Sequence, residues 1–259
     1  MRFCSLGSGS SGNALVVEAG SGATPSRVLV DCGFTLRELD LRLARAGLAA
    51  DDLDAIFVTH EHGDHVGCAL ALSRRNRLPL WMSRGTWHSC AGSRPPTELL
   101  RFARDGEPIA IGDVLLQPFT VPHDAREPLQ LTCADGARRL GILTDTGTST
   151  SHLLEHLAGC AVLVLECNHD RAMLSRSRYP AALRARIAGP HGHLDNDSAA
   201  AILRACRHAG LRHVVAAHLS RENNSPALAA AALAAACDAA EGEIIVADPL
   251  TDVDWLTLR

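Results

Sequence analysis

Short apolar runs alternate with clusters of turn residues along the chain. Residues 3–6 and 14–19 flank the turn-rich stretch 7–13, which predicts two paired strands joined by a loop, and residues 27–31 predict a third strand. Leu36, Leu39, Leu43 and Ala46 then recur at helical spacing. Residues 55–59 read as a short apolar strand that delivers His60 at its end, with a helix over 66–75 expected behind it. The stretch 80–107 has no clear period and reads as loop-rich. Strand patterns return at 114–121, 129–133 and 140–144, followed by a helix over 149–157 and a strand at 162–166. A helix over 196–209, a strand at 213–217, an alanine-rich helix over 226–240 and strands at 244–246 and 253–256 complete the pattern. Strands followed by helices fit helices packed outside stacked sheets. The segmentation alone supports an α/β or α+β chain forming one domain over residues 1–259, without repeats or long linkers.

Composition narrows this little. Hydrophobic residues make up 47% and charged residues 21%, which excludes a disordered or fibrous chain. A formal charge of −4 gives no global attraction for polyanions and leaves room only for a local basic patch. All 25 basic residues are arginine, a bias that goes with the abundance of alanine and is better read as compositional than as selection for phosphate-binding forks. Nine scattered cysteines without a C-x-x-C pair point to a reducing compartment and away from a structural zinc ribbon. The beginning of the chain lacks a signal-peptide layout, and the longest apolar run, 227–237, is too short to span a bilayer, so a cytoplasmic chain with no membrane partner is expected.

The chemistry concentrates in Thr59-His60-Glu61-His62-Gly63-Asp64-His65, an H-x-H-x-D-H cluster at a strand end. Four ligand-capable side chains within six positions, on a turn containing Gly63, can converge on a small volume, and imidazole with carboxylate suits zinc, iron or manganese. The alternative is a polar loop with fortuitous histidines. His88, His152, His156, His208 and His213 have no such context and read as exposed or internally hydrogen-bonded side chains.

The cluster resembles the second signature motif of the metallo-β-lactamase superfamily, and further signatures follow in order. His123 in Val121-Pro122-His123-Asp124-Ala125 resembles the third, Asp145 in Leu143-Thr144-Asp145-Thr146-Gly147 the fourth, and His218 in Ala217-His218-Leu219-Ser220 the fifth. Asp31 in Leu29-Val30-Asp31-Cys32-Gly33 matches the first, usually a support and not a ligand. The resemblance implies an α+β fold, a four-layer αββα sandwich, with two divalent metal ions, zinc first and manganese or iron as alternatives. It assigns His60, His62 and His123 to one metal, Asp64, His65 and His218 to the other, and Asp145 as the bridge. A histidine at position 65 favours a second nitrogen-ligated metal. Two neighbouring cations can lower the pKa of a shared water and clamp the oxygens of a phosphodiester.

The stretches Glu166-Cys167-Asn168-His169-Asp170, Gly192-His193-Leu194-Asp195-Asn196 and His218-Leu219-Ser220-Arg221-Glu222-Asn223-Asn224, with the loop Ser8-Gly9-Ser10-Ser11-Gly12-Asn13-Ala14 and Ser177-Arg178-Tyr179-Pro180, resemble the YycJ/WalJ-type branch, proposed metal-dependent nucleases acting on DNA. The implied activity is phosphodiester hydrolysis, with exonuclease action on DNA expected, through a metal-bridging hydroxide. A more distant parallel with ribonuclease Z implies that Asp64 orients or deprotonates the attacking water. It also implies that His193, supported by Glu166, protonates the leaving oxygen; the alternative is that His193 caps the helix starting near Asn196. On the same resemblance His169, Arg178 and Asn223 are expected to contact substrate. Arg171, Arg176, Arg178, Arg184 and Arg186 either track a nucleic-acid backbone or form a solvated helix face.

The interval between Asp145 and His218 leaves little room for a β-CASP-type clamp domain, and aromatic residues are 3%, so base-stacking platforms are few. Competing readings are a small cyclic or nucleotide-like phosphodiesterase, a glyoxalase-II-like thioesterase, and a non-enzymatic metal-binding regulator.

Overall fold

The computed structural model describes residues 1–20, 24–90, 98–238, 243–247 and 254–258. Strands β1 (Arg2–Gly7), β2 (Ala14–Ala19), β3 (Ser26–Val30), β4 (Ala55–Phe57), β5 (Leu80–Met82) and β6 (Leu100–Phe102) form one sheet in that spatial order. A second sheet runs outward from β7 (Ile109–Ile111) through β8 (Val114–Thr120), β9 (Leu129–Ala134), β10 (Arg139–Leu143), β11 (Val162–Glu166) and β12 (His213–Ala217) to β13 (Ile245–Val246). β14 (Leu256–Thr257) returns to pair with β1. Each sheet is antiparallel in one half and parallel in the other: β1–β3 and β7–β10 are antiparallel, whereas β3–β6 and β10–β13 are parallel. Parallel neighbours need a long crossover, and helices supply it.

Those helices are α1 (Leu36–Arg45), α2 (Gly63–Val66), α3 (Ala69–Asn76), α4 (Arg84–Ser89), α5 (Ser151–Leu157), α6 (Arg171–Arg176), α7 (Ala181–Ile187), α8 (Asn196–Cys206) and α9 (Pro226–Cys237). Their starts are marked by side chains that accept from otherwise unpaired backbone N–H groups: Thr35 at α1, Thr150 at α5, Asp195 at α8 and Ser225, followed by Pro226, at α9.

Three apolar layers hold four structural layers together. Phe3, Val17, Val28 and Phe57 of the first sheet meet Leu116, Leu131, Ile142 and Val164 of the second. The alternate residues Val16, Leu29 and Ile56 face outward under Leu39, Leu43 and Leu72 of α1 and α3. On the far side Leu163, Leu165 and Val214 lie under Leu153 and Leu157 of α5, Leu203 of α8 and Leu233 of α9. Strands buried on both faces read as continuous apolar runs, as residues 162–165 do. Each fully buried leucine contributes roughly 2 kcal/mol. The architecture is the expected αββα sandwich.

The expected helix over 66–75 is instead two pieces, α2 and α3. Gly67 separates them at φ 28, where a Cβ would lie 2.3 Å from the Cys32 carbonyl oxygen. The stretch read as loop-rich contains β5, α4 and β6, elements too short to show a period. Residues 239–240 of the expected last helix and residue 253 of the expected last strand lie outside the described residues. Among the described residues no helix is long and apolar enough to cross a membrane.

Candidate metal centre

The site stands where parallel strands end. Asp31, His60, Asp145 and His218 lie just beyond the C-terminal ends of β3, β4, β10 and β12, and Glu166 closes β11. Loops diverge at such an edge and leave a crevice. His123 follows β8, and His62, Asp64 and His65 come from the turn into α2.

Two non-glycine residues there adopt left-handed backbone, Asp31 at φ 61 and His218 at φ 55. Such conformations cost about 1–3 kcal/mol each and persist where surrounding bonds impose them. Here they do: Asp31 accepts from the Thr59 N–H at 2.8 Å and from the Thr59 hydroxyl, and the His218 N–H donates to Ser8 Oγ at 2.8 Å.

His60, His65, His218, His193 and His123 form a closed ring of neighbours, with centroids 4.1–5.5 Å apart; His62 packs against His60 and His123. Asp145 sits among them, 1% exposed, with its carboxylate 3.0 Å from His65 Nε2, 3.1 Å from His218 Nδ1, 3.3 Å from His193 Nδ1 and 3.8 Å from His123 Nε2. Burial alone would push the Asp145 pKa up; the His218 and His65 rings outweigh it and hold the carboxyl well below its ordinary value.

Outer partners anchor the Nδ1 atom of His60, His65, His123 and His218, and the Nε2 atoms turn toward the other ligand-capable side chains. His65 Nδ1 lies 2.8 Å from Asp31 Oδ2, His123 Nδ1 lies 2.9 Å from the Gly192 carbonyl, and His60 Nδ1 lies 3.0 Å from Thr59 Oγ1. His218 Nδ1 is held between Asp145 and Glu166, leaving Nε2 3.4 Å from Asp64 Oδ2. Outer partners of this kind fix ring orientation around metals. His60 Nε2 is buried without a hydrogen-bond partner among the described residues. Orphaned buried atoms are rare enough to require an explanation. Burial, reinforced by neighbouring imidazoles, pushes the His60 pKa well below its ordinary value, so that ring keeps a lone pair at neutral pH.

Ligand-capable atoms fall into groups that match the expected sets: His60, His62 and His123 converge, as do Asp64, His65 and His218. Imidazole and carboxylate donors of this kind suit divalent metal ions. Asp145, Glu166, His193 and His218 also converge, so His193 lies close enough to compete as a ligand.

His193 Nδ1 is 2.7 Å from Glu166 Oε1. Burial lowers its pKa, but Glu166 and Asp145 outweigh that and raise it to about 9. Asp195, not His193, caps α8. The ring lines a cleft of about 320 Å³ whose floor includes His62, Asp64, Asp145 and His218 and whose wall carries Tyr179, Leu183, Arg186 and Ile187.

His169 and Asn223, expected to contact substrate, are buried away from this cleft. Neither lines the cleft, and they are 2% and 1% exposed. His169 bridges to Asp195, and the Asn223 carbonyl accepts from the Asp170 N–H, so both hold the motif loops together. Arg178 lines a separate depression of about 670 Å³ with Arg176 and Glu222. Of the other arginines, Arg171 pairs with Asp195, Arg184 donates to the Ser175 carbonyl, and Arg186 pairs with Asp124. Asp124 also lies 3.6 Å from His62 Nε2.

Sequence reasoning missed the supports. Asn13 Nδ2 reaches His65 Nε2 at 3.0 Å, and its N–H donates to the Asp64 carbonyl. An asparagine closing a Gly/Ser loop was the available signal. A Cβ on Gly33 would lie 1.8 Å from the Asp64 carbonyl oxygen, which explains the glycine. Gly33→Ala is expected to cost about 1–3 kcal/mol through overpacking and to lower metal content; an unchanged melting temperature would contradict this close approach.

Residues 26–219 match the family profile described as a beta-lactamase superfamily domain. The chain belongs to the metallo-β-lactamase superfamily. This superfamily member is 33% identical to the exodeoxyribonuclease YycJ of Bacillus anthracis, over 88% of this chain and 86% of that protein. It is 30% identical to the exodeoxyribonuclease WalJ of Streptococcus pneumoniae, over 88% and 85%. Its fold matches the metallo-beta-lactamase fold protein YhfI from Bacillus subtilis with a TM-score of 0.73 at 14% identity, over 98% and 99% of the two chains. The short form of human tRNase Z matches at 0.66 and 16% identity over the whole of both chains. The chain is thus a metal-dependent hydrolase of this superfamily.

Proposed function

We propose that this chain is a single-domain dinuclear phosphodiesterase that removes nucleotides from DNA ends in the cytoplasm. The observation that carries the reading is the His193–Glu166 pair at the edge of the six-histidine cluster, in a chain aligned nearly end to end with proteins named exodeoxyribonucleases.

His60, His62 and His123 would hold one cation, Asp64, His65 and His218 the other, and Asp145 would contact both. Bound there, divalent ions supply Lewis acidity and lower the pKa of water. The protein groups supply position and protons. Asp64, half-buried in the cleft lining, accepts a hydrogen bond from the attacking water and orients it. Glu166 fixes His193 through Nδ1, which turns Nε2 toward the cleft, where it donates to the leaving oxygen. Tyr179 and Leu183 give the wall an apolar face for a base, and Arg178 faces the neighbouring depression, where a flanking phosphate can bind.

The cleft volume of about 320 Å³ is that of a site for one small ligand. This suits a terminal nucleotide, and it also favours a second reading, hydrolysis of a small nucleotide-like diester. A metal-reconstituted assay separates them, using single- and double-stranded DNA, bis-p-nitrophenyl phosphate and a glutathione thioester. Release of mononucleotides from DNA ends, falling steeply with salt, is the expected result. Turnover of the small diester alone would replace the nuclease reading with the second one; thioester turnover with inert diesters would overturn both.

A further inference from the structure

His152 and His156 look unrelated to any site in the sequence, yet the fold places both beside Asp105. The two histidines lie one turn apart on α5, so their rings project from one face and meet edge to face with centroids 4.7 Å apart. Asp105 comes from the turn after β6, with its carboxylate 2.8 Å from His152 Nε2. We propose that Asp105, His152 and His156 form a peripheral binding site for a divalent transition-metal ion of the zinc type.

The donor atoms of all three residues lie within 4.8 Å of one another. Two are imidazoles, which select zinc, copper or nickel over magnesium and calcium. Three protein donors with the remaining position open to water is an established zinc arrangement. The parts are held from outside the cluster. The Thr120 N–H donates to Asp105 Oδ1 at 3.1 Å, fixing the carboxylate on the end of β8. The His156 ring stacks on Phe119 at 4.8 Å and 13°, which sets its plane. An Asp105–His152 ion pair holds two of the residues, and the stack on Phe119 holds the third beside them. The side chains of Asp105 and His152 are each 41% exposed, so an ion reaches them without opening the core.

An ion held there would tie α5 to the end of β8, three residues before His123. None of the three residues lines the cleft of the central cluster, so the two sites load independently.

Equilibrium dialysis of the full chain against micromolar zinc, followed by elemental analysis, provides the test. The wild type is expected to hold one zinc equivalent per chain more than His152→Ala, an exposed change that leaves the core intact. Asp105→Asn is expected to weaken that last equivalent at least about tenfold. Equal counts and affinities in all three proteins would overturn the site. A second measurement needs no variant: during zinc titration of the wild type, the ring-proton resonances of His152 and His156 are expected to shift together. Resonances that stay in place through saturation would also overturn it.

Discussion

Asp145→Asn is expected to empty the metal centre almost completely while leaving the fold in place. The carboxylate lies within 3.0–3.8 Å of nitrogen atoms from His65, His218, His193 and His123, so it reaches both histidine groups. Asparagine keeps the shape and one acceptor oxygen but removes the charge that offsets two cations. Outer partners of metal ligands change affinity by roughly 10–100-fold; a bridging carboxylate should exceed that range at both positions, and turnover should fall by at least as much. Circular dichroism is expected to match the wild type, because the side chain sits on a loop beyond β10 and not in any of the three apolar layers. Two ions bound at full stoichiometry in the variant would show that Asp145 does not bridge.

His193→Ala is expected to separate chemistry from metal binding. As a proton donor, His193 should contribute on the order of 10²–10⁴ in kcat, with metal content unchanged. The pH profile carries the sign of the effect. Glu166 and Asp145 raise the His193 pKa, so the ring is protonated at neutral pH and loses its proton as pH rises. The alkaline fall in wild-type activity should therefore disappear in the variant, leaving a low, flatter profile. His193→Gln, which retains a hydrogen-bond donor but no titratable proton, should recover binding of a diester more than turnover. Loss of one metal equivalent in step with activity would instead make His193 a ligand, an arrangement its closeness to His218 and Asp145 permits.

How much of this was visible in the sequence depends on distance along the chain. The 60–65 cluster declared itself because four donors sit within six residues after an apolar strand. The long helices were legible because Leu39 and Leu43, or Leu203 and Cys206, keep a buried face at regular spacing. The helix break at Gly67 was not, since its cause is the Cys32 carbonyl from a distant strand end. The supports of the site were hidden for the same reason. Ser8 reaches His218 across 210 positions, and Asn13 reaches His65 across 52. The burial of His169 and Asn223 was not legible either, since their motifs show residue types and not packing. The Asp105–His152–His156 group was invisible because its carboxylate enters from another element.

Anomalous diffraction at the zinc or manganese edge, from crystals grown with excess metal, tests the central claim most directly. Two peaks roughly 3.5–4 Å apart are expected, one among His60, His62 and His123 and the other among Asp64, His65 and His218, with the Asp145 carboxylate between them. A single peak, or none with the histidine ring intact and empty, would contradict it.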